Sequence, residues 1–284
     1  MMAANMLEAT ELKKPHQRVI EIRPKKGLFD LDLYAVWRYR ELLYFLVWRE
    51  IKIRYKQAAI GIGWAILQPV IAMLIFTAIF GYFARIPSDG VPYAVFAFTA
   101  ILPWTYFSEA FRRGGTGLVE DADLIRKIYF PRLIIPLAMV VAPLVDFLLS
   151  FLVLLVLLAW YGIMPTANIV FLPLFLFVAM VLALAVSLWL GPINVRFRDI
   201  KHTLPFLIQI WMYASPVVYP LSMVPERWKL LYSLNPMVGV IEGFRWALLG
   251  KENPDFLAMS VSLFLIVLVL LGGIVYFKKM ERFF

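Results

Sequence analysis

Three of the four residues from 120 to 123 are acidic: Glu120, Asp121 and Asp123. Carboxylates this close together are candidates for a metal site or for acid–base work at a membrane surface. They also stand just before "DLIRKIYF" (Asp123–Phe130) and Pro131. In that setting Asp121 or Asp123 would cap a short helix that Pro131 stops. Other chemistry is thin. The chain has no Cys, which removes disulfides, thiolate metal ligands and a Cys nucleophile. His16 and His202 are too few and too far apart for a metal centre. No GxxxxGK[ST] phosphate loop is present. Asp146 interrupts an otherwise apolar stretch, and acids placed inside a membrane are often functional. With Pro143 three residues before it, Asp146 could instead face a wet cavity or another helix. Glu242 and Arg245, at a helical i,i+3 spacing, form a candidate ion pair. No set of residues amounts to a catalytic constellation.

The elements that must hold these residues are apolar. Of 284 residues, 62% are hydrophobic, and the mean hydropathy is +0.80. Soluble domains are about 45–50% apolar, so part of this chain's solvent must be lipid. A helix crossing a bilayer core needs about 20 apolar residues. The pattern predicts an all-α membrane protein with six spans, at about 58–84, 90–111, 133–160, 169–193, 203–219 and 256–277. The 49 residues from Phe147 to Val195 carry no charge and are too long for one span. "YGIMPTAN" (Tyr161–Asn168) supplies the turn between two.

Basic residues set the orientation. One side of this layout holds 23 Lys and Arg and the other holds 5. The richer side includes the N-terminal tail and the C-terminus, so both are expected in the cytoplasm. No signal peptide is recognisable ahead of the first apolar stretch. The net charge of +9 is then a topology signal, and a nucleic-acid partner loses its main support.

Residues 38–56 read as an amphipathic helix in the membrane interface. Tyr44, Val47, Trp48, Ile51 and Tyr55 share one face; Arg38, Glu41, Arg49, Lys52 and Lys56 share another. Arg54 belongs to the same segment, whose short alternation over Ile51–Lys56 also allows a strand. Between spans five and six, Pro216, Pro220 and Pro225 break the chain. A helix of about 14 residues then follows, with Asn235 as N-cap, Pro236 at its first position and Gly250 ending it. That is too short to span, which fits a re-entrant periplasmic element or an ordinary amphipathic surface helix. Aromatic residues make up 16% of the chain. Trp104, Tyr106, Phe107, Trp211, Tyr213 and Tyr219 could be interfacial belt and packing. Alternatively, some of them line a path for a sugar polymer, whose C–H faces stack on rings.

Four ordered stretches resemble the membrane subunit of type-2 ABC transporters: "WREIKIRYKQAAIGIGWAILQP", "LIRKIYFPRLIIP", "NVRFRDIKHTLPFLIQIWMYASPVVYP" and "LNPMVGVIEGFRWALLG". The resemblance covers about residues 37–284, leaving 1–36 as a cytoplasmic tail. Its nearest branch exports lipopolysaccharide O-antigen, with teichoic acid and capsule exporters as relatives. It implies a homodimer in the bacterial inner membrane, with two separate ATPase subunits that bind ATP and Mg and do the hydrolysis. The cargo would be a lipid-linked polysaccharide, and this chain would need no metal or cofactor of its own. The interface helix, with Trp48, Arg49, Lys52, Arg54 and Tyr55, would pack near the ATPases. Asp123, Leu124, Ile125, Arg126, Lys127, Tyr129 and Phe130 would form the main coupling element, and Arg196, Arg198 and Asp199 a second contact. Trp104, Tyr106, Phe107, Tyr213 and Tyr219 are candidate channel-lining residues; Glu242 and Arg245 would sit at the exit. One departure is that relatives often carry Asn near the start of the coupling segment, where this chain has Asp121 and Asp123. Two rival classes are a membrane enzyme acting on lipid-linked sugars, through Glu120, Asp121 and Asp123, and a secondary carrier. The carrier is disfavoured by the near-absence of intramembrane charge and of inverted repeats.

Overall fold

Lipid leaves backbone polar groups no partner except the chain itself, and a chain this apolar meets that demand with helices. A computed structural model describes residues 33–56, 61–197, 199–250 and 256–281, which are helical throughout apart from turns and connections. Residues 1–32, the 57–60 approach to the first span and Arg198 lie outside the described residues. In chain order the helices are α1 (Leu33–Arg38), α2 (Arg40–Lys56), α3 (Gly63–Phe76), α4 (Tyr93–Glu120), α5 (Ala122–Lys127) and α6 (Ile134–Val141). They continue with α7 (Leu144–Trp160), α8 (Leu172–Arg196), α9 (Ile200–Tyr213), α10 (Glu226–Tyr232), α11 (Pro236–Leu249) and α12 (Phe256–Met280). A π-helical stretch, Thr77–Phe83, prolongs α3.

Among the described residues, four helical segments are long and apolar enough to cross a bilayer: Gly63–Phe83, Ile134–Trp160, Ala167–Arg196 and Phe256–Met280. The chain is therefore a multi-span membrane protein. The other two expected spans look different. The one expected at 90–111 is part of α4, whose 28 residues continue past Glu109, Arg112 and Arg113 to Glu120. The one expected at 203–219 is α9, whose 14 residues reach about 21 Å. That falls short of the ~30 Å hydrocarbon core. The segment Ile134–Trp160 is divided between α6 and α7 at Pro143, which has no N–H for the helical ladder.

Helices α4 and α8 run parallel and very close. Gly114 faces Ser187, and Gly191 faces Leu118 and the Gly114 carbonyl. Small residues at both surfaces permit this approach, as is common between membrane helices. The Asn194 side-chain amide donates to the Gly115 carbonyl at 2.9 Å, joining the C-terminal ends of the pair. Trp189 of α8 donates to the Val269 carbonyl of α12 and stacks on Tyr276.

Two hydrophobic clusters result. The larger gathers Phe98, Phe107 and Phe111 of α4, Leu182 of α8, and Val240 and Phe244 of α11. The smaller joins Leu46 of α2, Leu118 of α4, Ile134 and Ile135 of α6, Leu188 of α8, and Phe277 of α12. This second cluster puts α2, α6 and the C-terminal ends of α4, α8 and α12 at one end of the bundle, the end rich in Lys and Arg.

Candidate functional site

Charged residues at the basic end bond to one another in a branched line. Arg49 of α2 donates from one nitrogen to both Asp121 oxygens, at 2.7 and 2.6 Å, and to Glu50 at 2.9 Å. Glu50 accepts from Arg113 of α4 at 2.8 Å. Arg113 also reaches Glu109 at 2.7 Å, and Glu109 holds Arg112 at 2.8 Å and Arg54 at 3.1 Å. Arg54 of α2 closes the line on Asp146 of α7. Four arginines and four acids thus tie α2 to α4, to the start of α5 and to α7. Most of these side chains are largely shielded from solvent, and removing one member of a buried pair costs about 3–5 kcal/mol. Burial opposes the charge on Arg49, but the bonds and charges of Asp121 and Glu50 outweigh it and raise its pKa.

Helix α2 accordingly differs from the simple two-faced pattern. It is broken from α1 at Tyr39. Its buried residues belong to neither expected face: Leu46 packs toward α6 and Glu50 turns to Arg113 of α4. Arg49 and Arg54 of the charged segment turn inward to acids. Lys52 stays exposed, its ammonium 5.3 Å from the ring of the exposed Trp48, while Tyr55 is half-buried.

The segment expected to couple to an ATPase forms a shorter helix than its sequence suggests. Its helix ends at Lys127, with Ile128 extended, so Tyr129 and Phe130 follow the helix as connecting chain. A residue before proline avoids the helical region, which fits the early stop ahead of Pro131. Asp121 occupies the N-cap position, yet its carboxylate caps nothing and is spent on Arg49. Asp123, Arg126 and Lys127 are exposed, Leu124 and Ile125 are half-buried, and Tyr129 is 70% exposed. Phe130 is buried in the second cluster. The second contact segment leaves the neighbouring helix end: Arg196 and Asp199 are exposed, the Arg196 guanidinium 5.2 Å from the Phe197 ring.

At the opposite end, Arg245 is only 6% exposed. It donates to Glu242 at 2.9 Å and to the Val217 carbonyl at 3.2 Å. Asn235 caps α11 by accepting from the Met237 amide, and the same oxygen accepts from Trp211 at 2.8 Å. Gly250 ends the helix with φ +64°, a left-handed conformation suited to glycine. A half-buried pair of phenols, Tyr219 and Tyr232, meets at 2.8 Å.

The aromatic candidates separate by burial. Trp104, Tyr106 and Phe107 are 5%, 2% and 0% exposed, inside the core of this chain. The Tyr106 hydroxyl donates to the Val140 carbonyl, and Phe107 stacks on Phe111 and meets Trp211 edge-on. Tyr213 is half exposed and Tyr219 partly buried. Among the described residues no group of acids, His or Cys is arranged to hold a metal. Four members of the ionic line, Glu50, Glu109, Arg112 and Arg113, are not singled out by the sequence. Their one signal was the placement of charges next to uncharged stretches, which does not identify partners.

Comparison with known proteins matches residues 41–249 to the family model described as ABC-2 type transporter. The chain is similar to the O-antigen export system permease protein RfbA of Myxococcus xanthus, 32% identical over 251 residues, spanning 87% of this chain and 96% of the relative. A second RfbA of the same description, from Klebsiella pneumoniae, is 27% identical over 243 residues, 85% of this chain and 92% of the relative. The polysialic acid transport protein KpsM of Escherichia coli is 26% identical over 243 residues, 82% of this chain and 91% of the relative.

Proposed function

The chain belongs to the ABC-2 type transporter family, and from that membership we propose that it is the channel-forming permease subunit of an ATP-driven exporter. The cargo is an undecaprenyl-diphosphate-linked polysaccharide of the O-antigen kind, moved across the inner membrane. Two copies of this chain work with two ABC ATPase subunits, which bind ATP and Mg; this chain is not catalytic alone. Six segments cross the membrane: α4, and α9 together with the buried, uncharged turn that follows it, complete the four long apolar segments. Both termini are cytoplasmic, and the basic end of the bundle faces the ATPases. The relatives named for O-antigen export and for polysialic acid transport support a glycan cargo, and the higher identity to the former favours O-antigen.

The observation that carries the coupling role is α5. It is a six-residue helix at the basic end, with Asp123, Arg126 and Lys127 turned outward and Tyr129 exposed just beyond it, and it is tied to the bundle through Asp121 and Arg49. It docks on the ATPase, and the Arg196–Asp199 loop supplies a second contact. Helices α10 and α11 form the re-entrant exit, with Tyr213 and Tyr219 bordering the path.

The test is co-purification with the candidate ATPase subunit, followed by ATPase assay with and without lipid-linked glycan. A stable complex whose activity the glycan stimulates is expected. Failure of the two subunits to associate, or indifference to the glycan, would sink the reading.

A further inference from the structure

Helix α5 has no buried residue within its own six positions. Its half-buried Leu124 and Ile125 rest against the second cluster, and two stronger anchors lie at its borders. On one side, both oxygens of Asp121 accept from Arg49, a residue 72 positions away on α2. On the other, Phe130 enters the cluster that Leu46 of α2 shares with Ile134 and Ile135 of α6. Both anchors therefore lead to the layer formed by α2 and α6. An N-cap carboxylate ordinarily accepts from the first amides of its own helix; here that role is given up for a long-range pair. Beyond Arg49, α2 is bound onward through Glu50 to Arg113 on α4 and through Arg54 to Asp146 on α7.

We infer that Arg49 is the positioning residue of the coupling helix: it makes α2 and α5 one mechanical unit, so that a displacement of α5, which α4 receives directly through Asp121, reaches α7 by way of α2. This rests on the reading of α5 as the ATPase-docking element and adds the route by which its motion leaves. A single guanidinium nitrogen of Arg49 holds Asp121 and Glu50 together. The charged groups of α5 itself, Asp123, Arg126 and Lys127, are all exposed.

The experiment uses the assembled complex with its ATPase subunits. Arg49→Ala and Asp121→Ala are each expected to lose glycan-stimulated ATPase activity and export while the complex still assembles. Reversal of the pair, Arg49→Asp with Asp121→Arg, is expected to regain both. Coupling like that of the unaltered complex in Arg49→Ala, or no recovery in the reversed pair, overturns the inference. Should the alanine variants fail to assemble, Arg49→Cys with Asp121→Cys keeps it open to test, since the chain has no other thiol. Bridging the two by a short bifunctional thiol reagent restores coupling if α2 and α5 move together, and leaves the complex inactive if they must slide. An unaltered complex that the glycan does not stimulate fails the functional reading and takes this inference with it. A stimulated complex beside an unaffected Arg49→Ala variant fails this inference alone.

Discussion

The Arg245 guanidinium lies 3.7 Å from the centre of the Phe96 ring, joining α11 to α4. With its bonds to Glu242 and the Val217 carbonyl, this makes Arg245 a clamp on three segments. A cation over a ring is worth about 2 kcal/mol when desolvated, and breaking a buried charged pair costs about 3–5 kcal/mol. Arg245→Ala should therefore lower the melting temperature of the detergent-solubilised chain. Arg245→Lys, which keeps the charge without the fork, should lower it less. Equal melting of Arg245→Ala and the unaltered protein would remove the clamp.

The α4–α8 contact leaves no room for a methyl group. A β-carbon on Gly114 would stand 1.8 Å from the Ser187 hydroxyl oxygen and 2.5 Å from its β-carbon. Overpacking of this kind costs about 1–3 kcal/mol. Gly114→Ala is expected to destabilise the protein, and adding Ser187→Gly to return part of the loss. Thermal unfolding of the single and double variants measures both; a double variant no better than the single would show that the strain lies elsewhere.

Orientation can be read with single cysteines, because the chain contains none. Met164, 86% exposed between α7 and α8, should label from the periplasm as Met164→Cys. Tyr129→Cys, 70% exposed beyond α5, should label only after the membrane is permeabilised. Thr116 would be a poor reporter for the cytoplasmic side, being buried whatever the topology. The opposite labelling pattern would invert the proposed arrangement.

Arg126 is exposed on α5. Arg126→Glu is expected to reduce export and to separate ATPase activity from it, while membrane insertion is unchanged. A proline at Ile125 should act similarly by breaking a helix of only six residues. Normal export in both variants would show that α5 is not where the ATPase acts.

Local signals in the sequence were enough for α11. Asn235, Pro236 and Gly250 occupy the cap, first-turn and terminal positions their chemistry suits, and each acts on amides or dihedrals a few residues away. The ionic line was not legible, because its pairs join residues as far apart as Arg54 and Asp146, separated by 92 positions. A charge in sequence gives its sign and does not identify the acid that tertiary packing brings to it. Nor could the orientation of Trp104, Tyr106 and Phe107 be read. Thr105, Ser108, Glu109 and Arg112 recur at helical spacing and mark the less buried face, but a ring off that face can still meet core, lipid or a channel. The length of α9 was obscured for a related reason: Ala214–Tyr219 is uncharged and continues the apolar run, although the helix itself stops at Tyr213.

With all its members ionised, the line from Asp121 to Asp146 has four positive and four negative groups. Moving one elementary charge through a membrane potential of 100 mV involves about 2.3 kcal/mol; moving this cluster as a body involves none. The line itself therefore adds no net charge to a shift of α2 with its partners, and any difference in export between energised and de-energised vesicles would come from charges outside the line, Lys52 and Lys56 on the exposed face of α2 among them.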